Sequence, residues 1–378
     1  MIKQKIKKIY RSLIIEFLSK QSVLQNSHWT TEDNSEFKQF RACIDKSITY
    51  ELTTRPIDPS NAAHKWVGAQ VYHDKVYAMP NDETRVLCYD VEHNRIDYIT
   101  GIKTGLFKWT GGCVWKNAIY CFPRTANPFL RIDEKGTKEI PLTFEYQKEH
   151  HYSGVCTKDG IVYQPPRNTN HILKTNLDTG ASIKIKIVDE KYHVTFRYCG
   201  SIIHPNGYIY FFPENNERVI KLDPKTDRWC FIGEKISTMC FDAKIGLDGN
   251  IYGFSAYRKG IMRIDVTNDT VQMIHTDIEP GAYGTKYGAD GCLYSVPGDG
   301  SKCFRYDTES DSVEVAFNLK DKSKAKYAGG VTLSQGHIIC IPAKEKNILE
   351  LSPNKEITIN RQVYDFFLCR QLLRRKLV

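Results

Sequence analysis

The sequence lacks any apolar run approaching the ~20 residues needed to cross a bilayer. Its N-terminal apolar stretch is Leu13-Ile14-Ile15, cut by Glu16. No secretory leader core is legible there, which reads as a cytoplasmic protein. None of the 12 cysteines forms a Cys-x-x-Cys pair. That removes the usual zinc and redox signatures and leaves reduced, buried thiols as the plain reading. A His-Glu-x-x-His motif, a phosphate-binding loop, a nucleophile elbow and a dinucleotide glycine fingerprint are all missing, so no cofactor and no metal are expected. A basic middle is missing too. Of the net charge of +9, residues 1–20 supply Lys3, Lys5, Lys7, Lys8, Arg11 and Lys20 against Glu16. Residues 365–378 supply Arg370, Arg374, Arg375 and Lys376 against Asp365, and the chain between is nearly neutral. Proteins that coat nucleic acid present a broad basic face, so nucleic acid is not the expected partner.

What is present is a repeat. Its centre reads apolar-Tyr-x-x-Pro, as in Val76-Tyr77-Ala78-Met79-Pro80 and Ile209-Tyr210-Phe211-Phe212-Pro213. The proline position recurs seven times, advancing by 43, 43, 47, 42, 42 and 45 residues, with Ser255 standing in for proline once. Ten residues after each stand Asp90, Asp133, Asn176, Asp223, Asp265, Asp307 and Ser352, all types that bond back to the backbone of a turn. Fourteen or fifteen residues before each is an aromatic: Trp66, Trp109, Tyr152, Tyr198, Phe241, Tyr283 and Tyr327. Hairpin signals such as Asp159-Gly160 and Asp248-Gly249 lie between. Units of this period with four strands each bury their faces only by stacking round an axis. The expectation is an all-β, seven-bladed β-propeller over residues 46–360. It is flanked by a basic amphipathic helix and polar lead-in (1–45) and by a C-terminal basic helix (361–378).

The Gly111-Gly112 and Gly329-Gly330 pairs and Trp229 make the repeat resemble the kelch-like propeller superfamily over roughly residues 64–360. The resemblance implies the fold, not a named subfamily. The Ser-x-Asp-x-Gly-x-x-Trp box of sialidase-like propellers is absent.

Apolar positions 2, 6, 9, 10, 13, 14, 17 and 18 follow a helical period, with cations on the other face. Residues 363–377 repeat the theme. Both ends either pack on the propeller with their charges solvated, or dock peripherally on an anionic membrane surface or an acidic partner. The strand-like segment from Ile48 to Leu52 is a candidate to close the ring in the last blade.

Strand direction places the residues before each innermost strand near the axis on one face, together with the loops after each proline. There the sequence offers Lys65-Trp66, Lys108-Trp109, His151-Tyr152, Arg197-Tyr198, Tyr283 and Lys326-Tyr327, with Asp242, Lys244 and Lys286 a few residues beyond. The rim loops add Arg124, Asn127, Arg167, Asn216, Tyr257 and Arg258. Aromatic faces can stack on a ring while Lys and Arg clamp a carboxylate or phosphate. The plainer reading makes each aromatic an inter-blade packing residue that recurs because the architecture does. A further cation two residues before the turn, at Arg131, Lys174, Lys221, Arg263 and Arg305, is expected to pair with the turn residue that follows.

Two function classes remain open. One is a binding or scaffold propeller whose top-face funnel takes a protein partner or a small anionic ligand. The other is a lyase-, isomerase- or hydrolase-type enzyme acting on a small anionic, carbohydrate-like substrate. His151, Tyr152, Arg197, Tyr283 and Lys326 are then the first catalytic candidates. A deep funnel favours a small molecule, and a flat top face favours a protein.

Overall fold

The computed structural model describes residues 35–355 and 357, apart from 59, 61, 126, 127, 143–150, 188–196, 216, 321 and 322. The described strands form seven four-stranded antiparallel sheets, each built from strands consecutive in the chain except the last. This is the seven-bladed propeller. Blade 1 runs Trp66–Tyr72, Lys75–Pro80, Val86–Asp90 and Arg95–Ile99 from the axis outward. The innermost strands of blades 2 to 7 are Trp109–Trp115, Val155–Cys156, Tyr198–Ile203, Lys244–Ile245, Ala282–Tyr287 and Tyr327–Thr332. The expected basic helices over 1–20 and 363–377 lie outside the described residues, as do Asn127 and Asn216.

The ring closes as the sequence suggested. Strand Tyr50–Pro56 is the outermost strand of blade 7, antiparallel to Asn347–Pro353, with Leu52 opposite Leu351. Glu350, on the inner partner, holds the closure together. It accepts from Arg55 Nε at 3.3 Å, from Tyr89 of blade 1 at 2.9 Å and bonds His337 Nδ1 at 2.9 Å. Just before this strand, helix Ser35–Ala42 buries Phe37 and Phe40, and Phe40 meets Tyr287 edge-on at 4.9 Å. No described helix is long and apolar enough to cross a membrane.

The apolar alternation of each strand is spent between blades. Trp66 and Leu87 pack with Ile339 and Ile348 between blades 1 and 7. Trp109 and Ile119 pack with Met79 and Val86 between blades 2 and 1. Tyr198 and Ile209 pack with Tyr163 and Ile172 between blades 4 and 3. Each such side chain contributes roughly 1.5–3 kcal/mol on burial. The eleven described cysteines are free, and ten of them are buried in this strand framework.

The turn residues behave as their chemistry demands. Asp133, Asn176, Asp223, Asp265 and Asp307 each accept the backbone N–H two residues on, at 2.8 to 3.0 Å. The cations before them divide. Arg131 does pair with Asp133. Lys174 and Lys221 instead reach into the next blade, binding Asp227 at 2.7 Å and Asp269 at 2.9 Å. Both aspartates sit at positive φ (57° and 53°) in the outer turn of the following blade. Arg305 turns back to Asp290 at 2.7 Å. These pairs are latches within and between blades; the pairing expected from sequence is too local for Lys174, Lys221 and Arg305.

Candidate functional site

A cavity of about 540 Å³ follows the propeller axis. Its wall includes His64, Phe107, Arg124 and Tyr152 from the top-face loops, and His73 and Lys116 from the turns at the opposite face. The channel is not symmetric. Gly68, Gly111 and Gly329, all at positive φ, stand in the innermost strands of blades 1, 2 and 7. A Cβ on Gly68 would meet the Gly111 Cα at 3.0 Å, and one on Gly329 would meet the Gly68 Cα at 2.9 Å. Only glycine permits this backbone approach.

The recurring aromatics fall into two groups, and strand register explains the split. Trp66, Trp109, Tyr198 and Tyr327 lie directly opposite the proline that ends the second strand. They face the inter-blade cores and are almost fully buried. Their polar ends bond nearby backbone, as Trp66 Nε1 donates to Arg85 O at 2.7 Å and Trp109 Nε1 to Pro128 O at 2.9 Å. In blades 3 and 6 the residue opposite the proline is His151 or Ala282. Tyr152 and Tyr283 come one residue later, and a shift of one residue turns a side chain to the other face. Both therefore line the channel, as does Phe241. Phe241 joins them into a cluster, 5.4 Å from Tyr152 and 5.1 Å from Tyr283 between ring centroids. Burial raises the phenol pKa of Tyr152, and burial with Asp299 nearby raises that of Tyr283, so both keep their protons.

The cations before those aromatics are not on the channel wall. Lys108 Nζ donates to Glu83 O at 3.0 Å and to Gly105 O at 3.1 Å. Lys326 Nζ donates to Ser323 O at 2.7 Å. Arg197 is 1% exposed, with Nε on Glu217 at 3.1 Å. Lys65 is equally enclosed, and burial lowers its pKa. Lys108, Arg197 and Lys326 fasten top-face loops, a use the sequence pattern did not disclose. His151 is fully buried, its Nδ1 3.2 Å from Pro165 O. Of the five first catalytic candidates, the channel receives Tyr152 and Tyr283; His151, Arg197 and Lys326 stand behind its wall.

Asp242, Lys244 and Lys286 do come together on that wall. The Asp242 carboxylate takes Lys244 Nζ at 2.7 Å and also binds Lys286 Nζ. Burial opposes ionisation of Asp242, but the two ammonium groups hold its pKa below the usual range. One carboxylate thus answers two buried cations.

The residues of the mouth carry the most distinctive geometry. The Arg124 guanidinium lies 4.4 Å from the Phe107 ring centroid and 5.0 Å from that of Tyr152. Its Nε is buried, with no hydrogen-bond partner among the described residues. Burial pushes its pKa down. Arg167, 4.5 Å from the same Tyr152 ring, differs in being held bidentately by Glu214, with both contacts at 3.1 Å. Among the described residues, Lys116, Arg124, Lys158, Arg167, Lys244 and Lys286 line the cavity with the acid Asp242. Glu214 answers Arg167 and Asp178 answers Lys116, so Arg124, Lys158 and the second lysine on Asp242 carry the excess. A low-dielectric channel focuses that imbalance into a potential that attracts anions. Phe107 and His64 at the mouth were not singled out by sequence pattern, because they stand in inter-blade loops outside the repeat registers. Among the described residues no three His, Cys, Asp or Glu converge as a metal site.

No protein-family model and no curated protein matches the chain. The kelch-like likeness therefore gains no support beyond the residues that suggested it. Solved structures are similar in fold. A catalytically inactive histidine-to-alanine variant of virginiamycin B lyase from Staphylococcus aureus, with quinupristin, has a TM-score of 0.67 at 15% identity. The likeness covers 80% of this chain and 99% of that one. A streptogramin B lyase reaches 0.66 at 15% identity, covering 81% and 98%. The WD40 β-propeller domain of Doa1 reaches 0.59 at 13% identity, covering 80% and 96%. At these identities the likeness establishes the propeller fold alone, which hosts both enzymes and scaffolds.

Proposed function

We propose that the protein is a binding propeller for a small anionic ligand that carries a planar or apolar ring. The observation that carries this reading is Arg124. It is a guanidinium at the channel mouth, flanked by the faces of Phe107 and Tyr152, with no ion pair among the described residues. A structural arginine in such surroundings is normally paired, as Arg167 beside it is. A carboxylate or phosphate would complete Arg124. The Tyr152–Phe241–Tyr283 cluster would take the ring by stacking. A cavity of about 540 Å³ has the size of small-molecule sites, whereas a partner protein calls for a flatter face.

The test is a thermal-shift and calorimetric screen against glucuronate, glucose 6-phosphate, a nucleoside monophosphate and an aromatic carboxylate. A ligand at 100 times its dissociation constant adds about 2.7 kcal/mol to stability. At least one should raise the melting temperature, and Arg124→Ala should remove the effect while Lys326→Met keeps it. A binder whose shift survives Arg124→Ala, or a screen in which no anion shifts the protein, overturns the reading.

A second reading, a propeller enzyme acting on a small anionic carbohydrate-like substrate, is favoured by His64. It lies at the mouth, 5.9 Å from Phe107, and burial lowers its pKa so that it stays neutral as a base requires. Virginiamycin B lyase is inactivated by a histidine-to-alanine change. Under this reading His64→Ala abolishes turnover of a ligand that it still binds.

A further inference from the structure

The proposed mouth site leaves the channel's deeper charged cluster without a task. Two lysines sharing one carboxylate are an unusual way to build a wall. An even Lys–Asp pair would be neutral, but Lys244–Asp242–Lys286 carries a surplus positive charge when all three groups ionise, and loss of one lysine proton relieves that cost in a buried setting. Both lysines line the cavity. Lys244 Nζ also donates to Ala243 O at 3.2 Å, whereas Lys286 Nζ binds the Asp242 carboxylate and, unlike Lys108 and Lys326, no backbone carbonyl among the described residues. Lys286 sits on the long innermost strand Ala282–Tyr287, and Lys244 on the short strand Lys244–Ile245 of the neighbouring blade.

We infer that Lys286 is a carbonyl-capturing lysine, whose amine condenses with the aldehyde or ketone of an anionic ligand admitted past Arg124. This rests on the small-anion reading above and adds the ligand's second functional group. The lysine must first give up a proton. Burial favours the neutral amine of Lys286, Asp242 opposes that, and the Lys244 ammonium favours it again; the Cys340 thiol is the other titratable group facing it. The net direction is downward, which enlarges the share of free amine relative to an exposed lysine. A lysine beside a second cation in a desolvated pocket is the arrangement that makes an amine nucleophilic. The nitrogen lone pair forms the C–N bond at the carbonyl carbon. The carbonyl oxygen then leaves as water, taking the two protons that the amine nitrogen gives up, and Asp242 is placed to relay them. The product is an imine on Lys286, held by the ligand's own acid group at the cationic wall.

The experiment uses glyoxylate as probe with cyanoborohydride, which delivers hydride to the protonated imine and fixes the adduct as a secondary amine. Peptide mass spectrometry then ranks every lysine by occupancy. Lys286 should be modified at least tenfold faster than any exposed lysine. Lys244→Met should move the pH midpoint of that labelling upward, because it removes the neighbouring charge. Asp242→Asn, checked for an unchanged fold by its circular dichroism, should lower that pH midpoint, because it removes the carboxylate that holds the proton, and should slow the labelling reached above the midpoint, because it removes the relay. Labelling of Lys286 no faster than that of surface lysines overturns the inference. The two proposals fail separately. If a non-reactive aromatic carboxylate still gives an Arg124-dependent shift while Lys286 stays unlabelled, only the lysine's role falls. If Lys286 is labelled selectively and equally in Arg124→Ala, the lysine stands and the mouth reading falls.

Discussion

The blades that meet at the axis differ on its two sides. Blades 7, 1 and 2 present Gly329, Gly68 and Gly111, and their backbones nearly touch. Blades 3, 5 and 6 present Tyr152, Phe241, Tyr283, Asp242, Lys244 and Lys286 around open space. The fold repeats its backbone seven times, but the side chains break the repetition. One half uses the lack of a Cβ to draw strands together. The other half holds strands apart with rings and charges, and so makes a cavity. Mutations in the glycine half should therefore act on stability, and mutations in the charged half on binding.

The sharpest contrast is between aromatics of the same register. Trp109→Ala, in the inter-blade core beside Met79 and Ile119, should cost about 3–5 kcal/mol in chemical denaturation. Phe241→Ala, on the channel, should cost only about 1 kcal/mol and lower ligand affinity instead. Equal destabilisation by both would erase the distinction. Next in size is the ring closure. Burial opposes ionisation of Glu350, but its bonds from His337, Tyr89 and Ser352 hold its pKa down to about 2. Because the folded-state pKa is depressed, this contribution is full above pH ~4.5 and fades as pH falls toward 2. Acid titration of stability should lose on the order of 2–3 kcal/mol over that window, and Glu350→Gln should flatten it. Gly68→Ala should cost about 1–3 kcal/mol, from positive φ and the approach to Gly111. Smallest on stability is Arg124→Ala, within about 0.5 kcal/mol of the parent, because no described ion pair is lost. A large destabilisation there would mean that the residue belongs to the framework.

The architecture was legible because three spaced signals recur in phase, each answering a structural need: a strand-ending proline, an Asx turn and an aromatic at the start of the innermost strand. The strand that closes the ring was legible only as a candidate, since its partner lies some 300 residues away. The channel was harder to read. An aromatic fourteen residues before the proline position faces the inter-blade core in blades 1 and 2, where the first hairpin has two residues, as in His73-Asp74. The same spacing faces the channel in blades 3 and 6, where five residues separate Cys156 from Val162 and Tyr287 from Leu293. Spacing corrected for turn length would have separated Tyr152 and Tyr283 from Trp66 and Trp109. No such correction finds the tasks of Lys108, Arg197 and Lys326. A cation needed for a carbonyl or carboxylate behind the wall has the same neighbours in sequence as one needed for a ligand.

The pairing of Tyr50–Pro56 with Asn347–Pro353 has a consequence for synthesis. As the chain leaves the ribosome, each of the first six blades has its four strands within a single local stretch. The seventh does not. Its outer strand emerges before the other blades and waits, as an unpaired edge, while some 300 residues are made. That edge is a target for proteases and for other nascent chains until Asn347–Pro353 arrives. Ring closure is thus an encounter of a strand made before blade 1 with one made after blade 6, and before it the channel has no complete wall.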